Sequence, residues 1–411
     1  MSLKFGGQDR DAMFAVYDGH GESGHSCARF AKKRLPQLVA KYVRQERVKL
    51  YQAELKAKGI KAPGFDPSKW PFLPKDKYQM CCKKAFMACN QEMHDSTKVK
   101  DKLSGTTAIT VNFHGDLVTI SNVGDSRAVL GHRVSSSSSD GSKSSKEEDE
   151  EEKTEIDAEK KDDGIGETLS FSVRSRSLLA IPLSRDQTPY RRDERERIKK
   201  AGASVMSIDQ MEGREEKHEN WGDIVLGKDV DVAGDPPRVW LKGKDYPGTA
   251  FTRSIGDYLA EEIGVTAEPE MITTRLTSND QILVVASDGV FEFLTNQAVI
   301  DMCASSKSPL EACDKVVKAA YDQWLTYERR TDDITIIVCF LSCTDPAEGA
   351  ENTTEELVAT AQTVYGMKPV RSKVGSDVSP VNDSDSSPGV RFERGKSVYH
   401  KDGKGLLVSN T

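Results

Sequence analysis

Long apolar runs are missing from this chain. No stretch approaches the ~20 residues that cross a bilayer, and the longest runs, such as ITIIVCFL, have the length of a strand. A basic excess is missing too: 58 Lys and Arg stand against 65 Asp and Glu, for a net charge of -7, so no nucleic-acid-binding footprint is expected. The eight cysteines show no metal-ligand spacing; Cys81 and Cys82 are adjacent, and Cys303, Cys313, Cys339 and Cys343 lie in or near apolar segments. Buried, reduced thiols of a cytosolic or nuclear protein are expected, rather than a disulfide or zinc framework. The opening residues, SLKFGGQDRDAM, lack the apolar core of a secretory signal. There is no internal repeat, and no serine or cysteine sits in a nucleophile motif such as GxSxG.

What remains is a polar chain with room for a core, 37% hydrophobic and 30% charged in 411 residues. Phe14 to Tyr17 reads as a strand, followed by the tight turn DGHGESG. A long helix follows from Ser26, with a break expected at Pro36, and KYQMCCKKAFMACNQEMHDS is a second amphipathic helix. TTAITVNF and DLVTISNVG form a hairpin through His114 and Gly115, and SRAVLGHRV is a third strand. A strand at LLAIPL, a charged helix ending at Gly202, the strand ILVVAS, two more helices and the strand ITIIVCFL complete the pattern. Short turns between strands, with helices in pairs between them, predict an α+β fold with antiparallel sheets packed together and helices outside.

Composition divides the chain. Residues 134–166 are serine-rich and then acidic, without apolar periodicity, and read as a low-complexity insertion. Residues 207–238 read as a polar surface loop, and 343–411 as a flexible tail, save for a short helix around TTEELVATAQTVYG. The catalytic domain is therefore expected to span 1–342.

Five aspartates stand where apolar runs stop: Asp18 in VYDGHG, Asp125 in NVGDSR, Asp257 in SIGD, Asp288 in VVASDGV and Asp332 in TDDITIIV. Each alone is compatible with an ordinary turn. Together, carboxylates at several strand ends make an oxygen-rich cluster suited to hard divalent cations such as magnesium or manganese. Two such ions can clamp a phosphate and activate a water. His20 is a candidate general acid, since imidazole titrates near neutrality. Asp257 either orients a ligand from behind or caps the following helix, with capping the leading expectation. His25, His94, His114, His132, His218 and His400 have no such setting and are expected at the surface.

The motifs VYDGHG, SGTTA, NVGDSRAVL, LSRDQTP, FTRSIGD with GVTAEPE, ILVVASDGV and TDDITIIV occur in that order. With them the chain resembles the PPM, or type-2C, metal-dependent serine/threonine protein phosphatases from about Met13 to Phe340. The resemblance implies a central β-sandwich flanked by helices on both faces. It also implies a binuclear magnesium or manganese site and a monomer acting on phosphorylated proteins. By position, Asp18 matches the carboxylate bridging two metals, Gly19 the backbone carbonyl ligand, and Asp288 and Asp332 the remaining ligands. Asp125, with Asp288, matches the holders of a weaker third ion, and His20 the general acid; Asp333 replaces a usual asparagine. Residues 207–238 fall where the family has its variable flap. Only 17 residues precede Asp18. The family's N-terminal edge strand, with its phosphate-gripping arginine, is therefore expected to be missing, with weaker stability and activity than an extended chain. The alternative function is a pseudophosphatase that binds phosphoproteins without turnover.

Overall fold

The computed structural model describes residues 2–3, 11–60, 70–114, 117–134, 178–218, 221 and 236–343, with three short strands beyond them. The elements in chain order begin with β1 (Ser2–Leu3), β2 (Ala12–Val16), β3 (Gly19–His20), α1 (Gly24–Ala57), α2 (Lys75–His94) and β4 (Gly105–Thr106). Then come β5 (Ala108–His114), β6 (Leu117–Val123), β7 (Arg127–His132), β8 (Leu179–Pro182), α3 (Arg192–Lys200), β9 (Ala203–Met206) and α4 (Ile208–Met211). They are followed by β10 (Arg238–Leu241), β11 (Pro247–Thr249), β12 (Ile255–Gly256), α5 (Tyr258–Glu261), β13 (Glu270–Arg275) and β14 (Asp280–Ala286). The last are α6 (Asp288–Phe291), α7 (Asn296–Ala304), α8 (Pro309–Tyr327), β15 (Ile336–Ser342) and β16 (Arg391–Phe392), with a two-stranded pairing of Val398–Tyr399 and Gly405–Leu406.

Two five-stranded antiparallel sheets, ordered β1-β2-β5-β6-β13 and β16-β15-β14-β7-β8, carry the fold. Strand β14 shows how its sequence builds layers. Successive side chains point to opposite faces. Ile282, Val284 and Ala286 pack toward α7 and α8, while Leu283 and Val285 pack toward the other sheet. A strand buried on both faces reads as an unbroken apolar run, which ILVVA is. Between the sheets Phe14 meets Phe113 edge-on at 5.8 Å, beside Ile109, Val118, Ile120, Leu130 and Ile181. Helices α1 and α2 cover the outer face of the first sheet through Leu35, Leu38 and Val39 on one and Phe86, Cys89 and Met93 on the other, spaced three and four apart. The order of layers is helix, sheet, sheet, helix.

Several expectations change. Helix α1 runs unbroken through Pro36, because Ala31, Leu35, Leu38, Val39 and Val43 keep its apolar stripe buried on both sides of the proline. The edge beside β2, expected to lack a strand, carries β1 in the register Ser2↔Met13 and Leu3↔Ala12. Of the histidines expected at the surface, His114 is buried, and His94 and His132 are half-buried and bonded to carboxylates. His114 is stacked on Tyr78 at 3.7 Å, His94 bonds Asp101 and Glu261, and His132 bonds Asp280. Tyr78, Glu261 and Asp280 are remote in sequence from the histidines they meet, so local context could not reveal those contacts. Of the expected flap, 207–218, 221 and 236–238 are described, and they belong to a small unit of α3, α4 and the three-stranded sheet β9-β10-β11. The insertion beyond Val134, the tail helix and His400 lie outside the described residues. Among the described residues no helix is long and apolar enough to cross a membrane.

Candidate active site

Strand register brings four aspartates to one rim. Ala286 pairs with Arg127 on one side and Ile336 on the other, so Asp288, Asp125 and Asp332 leave the second sheet at the same end. In the first sheet Val16 pairs with Ile109, and Ile109 with Asn122, which sets Asp18 at the matching end. The carboxyls of Asp18 and Asp288 come together at this rim, with Asp332 and Asp125 close enough to repel them.

Each corner is pinned by its neighbours. The Asp18 amide donates to Thr107 Oγ1 (3.1 Å), and its carbonyl accepts from the Thr107 amide (2.8 Å) and Thr106 Oγ1 (2.9 Å). Thr107 Oγ1 also bonds Ser126 Oγ at 2.8 Å, tying Asp18 to the turn that carries Asp125. That turn is gripped by Gln187, whose Oε1 accepts from the Gly124 amide at 2.7 Å. Arg127 forks onto Asp186 (3.0 and 2.6 Å) and lies over the Phe291 ring. At Asp288 the chain turns into α6 against the segment bearing Asp332. A Cβ on Gly289 would stand 2.4 Å from the Asp333 carbonyl, so the close approach requires glycine. Trp324 Nε1 donates to the Gly289 carbonyl at 2.8 Å, and Ser287 Oγ donates to that of Asp333 at 3.2 Å.

Electrostatics mark the cluster as strained without counter-charge. Burial, then the neighbouring carboxylates, push Asp18, Asp125 and Asp288 well above the ordinary carboxylate range. Glu292, which the sequence reading passed over, is raised to about 7, chiefly by burial and then by Asp288. Its signal was its spacing, four residues after Asp288 on the same helical turn. Asp288 Oδ1 is buried with no hydrogen-bond partner. A buried carboxylate oxygen so placed calls for a cation or a proton.

The structure decides between the two roles weighed for Asp257. It precedes α5 but makes no side-chain cap. Its Oδ2 instead lies 2.7 Å from His20 Nε2 and accepts from Ser254 Oγ at 2.6 Å. The expectation of capping is thus corrected. The left-handed backbone of Asp257, φ 53°, aims the carboxylate back at β3 instead of at the helix amides. Gly19, expected to offer its carbonyl, is exposed and pairs across β4 with Thr106.

A second carboxylate group, Asp193, Glu194 and Glu270, gathers ligand atoms within 4.8 Å. Arg191 bonds Asp193 and Glu270, while Arg197 and Arg253 both bond Glu194. Three guanidinium groups thus balance three carboxylates, and hydrogen bonds from Arg253, Arg197 and Thr252 hold Glu194 well below the ordinary range against its burial. This is a structural ion-pair network joining α3 to β13, in contrast to the uncompensated rim.

The sequence profile of the family Protein phosphatase 2C matches residues 1–161 and 173–326. The chain belongs to that family. Among similar curated proteins, "Probable protein phosphatase 2C 35" of Arabidopsis thaliana is 38% identical over 328 residues, covering 79% of this chain and 72% of the relative. "Probable protein phosphatase 2C 64" of rice, Oryza sativa subsp. japonica, is 26% identical over 339 residues, 82% of this chain and 60% of its own length. Among solved structures, the serine-threonine phosphatase 2C from Toxoplasma gondii shares the fold, with a TM-score of 0.50 at 16% identity over 81% of this chain and 86% of that one. As a protein phosphatase 2C the chain is a phosphoprotein phosphatase, and its α+β sandwich is the expected one.

Proposed function

We propose that this protein phosphatase 2C is a metal-dependent hydrolase of phosphoserine and phosphothreonine on proteins, with its chemistry at the aspartate rim. The observation that carries the reading is the convergence of Asp18, Asp125, Asp288 and Asp332, with a buried Asp288 oxygen lacking any partner. An all-oxygen donor set of this kind fits magnesium or manganese. Asp18, the Gly19 carbonyl, Asp288 and Asp332 would hold two ions, and Asp125 with Asp288 a weaker third. When bound, such ions supply positive charge to the phosphate oxygens and a water of lowered pKa.

The chain's own groups do the rest. The carboxylates set the positions of the ions, and Thr107, Gln187 and Trp324 hold the carboxylates' backbone still. His20, half-buried on β3, gives a proton to the departing serine or threonine oxygen. A cysteine nucleophile is disfavoured. Burial pushes the thiols of Cys27, Cys82, Cys89 and Cys303 up to about 12, and a thiolate is what would attack. The same buried cysteines suit a reducing compartment, cytosol or nucleus.

The test is hydrolysis of a phosphothreonine peptide and of p-nitrophenyl phosphate with manganese, with magnesium and with chelator. Turnover should need the metal, and Asp18→Ala or Asp288→Ala should each lose nearly all of it. Near-normal rates in either variant would sink the metal-site assignment. A folded protein that binds manganese and phosphopeptide without turnover would replace this reading with the pseudophosphatase.

A further inference from the structure

The small sheet β3-β4-β12 has one feature that the metal reading leaves unused. His20 closes β3 and pairs with Gly105 of β4, which pairs in turn with Gly256 of β12, the residue before Asp257. His20 and Asp257 therefore flank one glycine, and their side chains meet across it at 2.7 Å. A Cβ on Gly105 would lie 2.2 Å from Asp257 Oδ2 and 2.8 Å from His20 Nε2, so the bond exists only because position 105 has no side chain. Asp257 is 2% exposed. Its Oδ2 takes both Ser254 Oγ and His20 Nε2, and its amide donates to the Ser104 carbonyl at 2.9 Å. The other side of the His20 ring rests on Phe251, with centroids 4.2 Å apart. A non-glycine residue at φ 53° is costly backbone, kept where the surrounding structure insists on it.

We propose that Asp257 is a positioning residue for dephosphorylation. It holds the His20 ring through Nε2–H, so that Nδ1 is the nitrogen that meets the leaving oxygen. Ser254 fixes the carboxylate, Gly105 gives it passage, and Phe251 fixes the plane of the ring. In the step served, the phosphorus–oxygen bond to serine or threonine breaks as a water oxygen bonds phosphorus and gives up one proton to solvent. The proton on Nδ1 passes to the departing oxygen, and the ring regains one from solvent. A carboxylate behind a histidine sets which ring nitrogen works and where it points. The inference rests on the phosphatase reading of the site and on the role given there to His20.

Leaving groups separate this role from a structural one. A peptide alkoxide needs a proton, whereas p-nitrophenolate departs without one. Asparagine tolerates left-handed backbone better than most residues, so Asp257→Asn keeps the turn. It is expected to slow the phosphothreonine peptide by about 10- to 100-fold while leaving p-nitrophenyl phosphate within about 3-fold. Ser254→Ala should show the same pattern, weaker, and Asp257→Asn should add nothing to His20→Asn. In the metal-free wild type a downfield, slowly exchanging His20 ring N–H proton should be visible by NMR and lost in Asp257→Asn. Equal slowing of both substrates by the two variants, additivity with His20→Asn, or an unchanged ring proton would overturn the assignment. A wild type silent on both substrates would instead remove the phosphatase reading, and this inference with it.

Discussion

Asp18 shows at the scale of one residue what the fold does to chemistry. A carboxyl that would be ionised in water is raised by burial and by Asp288, Asp332 and Asp125. Folding the metal-free protein therefore forces like charges together. Asp18→Asn removes one of them, so in chelator it should raise Tm although it abolishes turnover, and manganese should stabilise it less than the wild type. A thermal-shift titration reads both effects. The pH sense follows from Glu292. Its folded-state pKa, about 7, exceeds the ordinary 4.5, so the folded form holds the proton more tightly. The stability it contributes is complete below about 4.5 and lost as pH rises through about 7. Melting in chelator from pH 5 to 8 should show Tm falling, with a shallower fall in Glu292→Gln.

At the scale of elements, connections matter more than propensities. His94, at the end of α2, bonds Asp101 in the loop before β4 and Glu261 in α5, clamping the segment from which Asp257 projects. The Asp101 and Glu261 hydrogen bonds raise its pKa from 6.5 to about 9, so its stabilisation is present below 6.5 and lost as pH rises through about 9. The Tm difference between wild type and His94→Gln should accordingly be largest below pH 6.5 and close by about pH 9. Helix α1 tolerates Pro36 because its buried stripe continues past it. Pro36→Ala restores a helix N–H and should stabilise the chain by about 1 kcal/mol or more, measured by denaturant unfolding. An unchanged midpoint would mean that the proline already costs nothing there.

At the scale of the whole molecule, one buried ion pair joins layers. Arg47 on α1 forks onto Asp11 just before β2, at 2.5 and 3.1 Å, with both side chains essentially inaccessible. Removing one partner strands a buried charge. Asp11→Ala should cost about 3–5 kcal/mol in denaturant unfolding, while Asp11→Leu with Arg47→Met should recover most of that loss. Strand register across the two sheets places Asp18, Asp125, Asp288 and Asp332 at one end of the sandwich, opposite the end at which β7 finishes.

Much of this was legible in the residues alone. Unbroken apolar runs such as ILVVA marked strands covered on both faces, because a strand's two faces alternate residue by residue and here neither meets water. The three- and four-residue spacing of Leu35, Leu38 and Val39, and of Phe86, Cys89 and Met93, marked the covering helices. Aspartates where runs stopped marked the rim, because a carboxylate without a partner is costly inside an apolar layer and so tends to stand where the layer ends. Pairings over long separations were beyond its reach. Sequence order cannot show that residue 20 meets residue 257 across a glycine at 105, that His114 lies inside on Tyr78, or that Glu194 is neutralised by arginines while Asp18 is not. Local pattern records which residues must leave water; only the packed layers decide which charges then face one another, since electrostatic coupling depends on distance and burial rather than on separation along the chain.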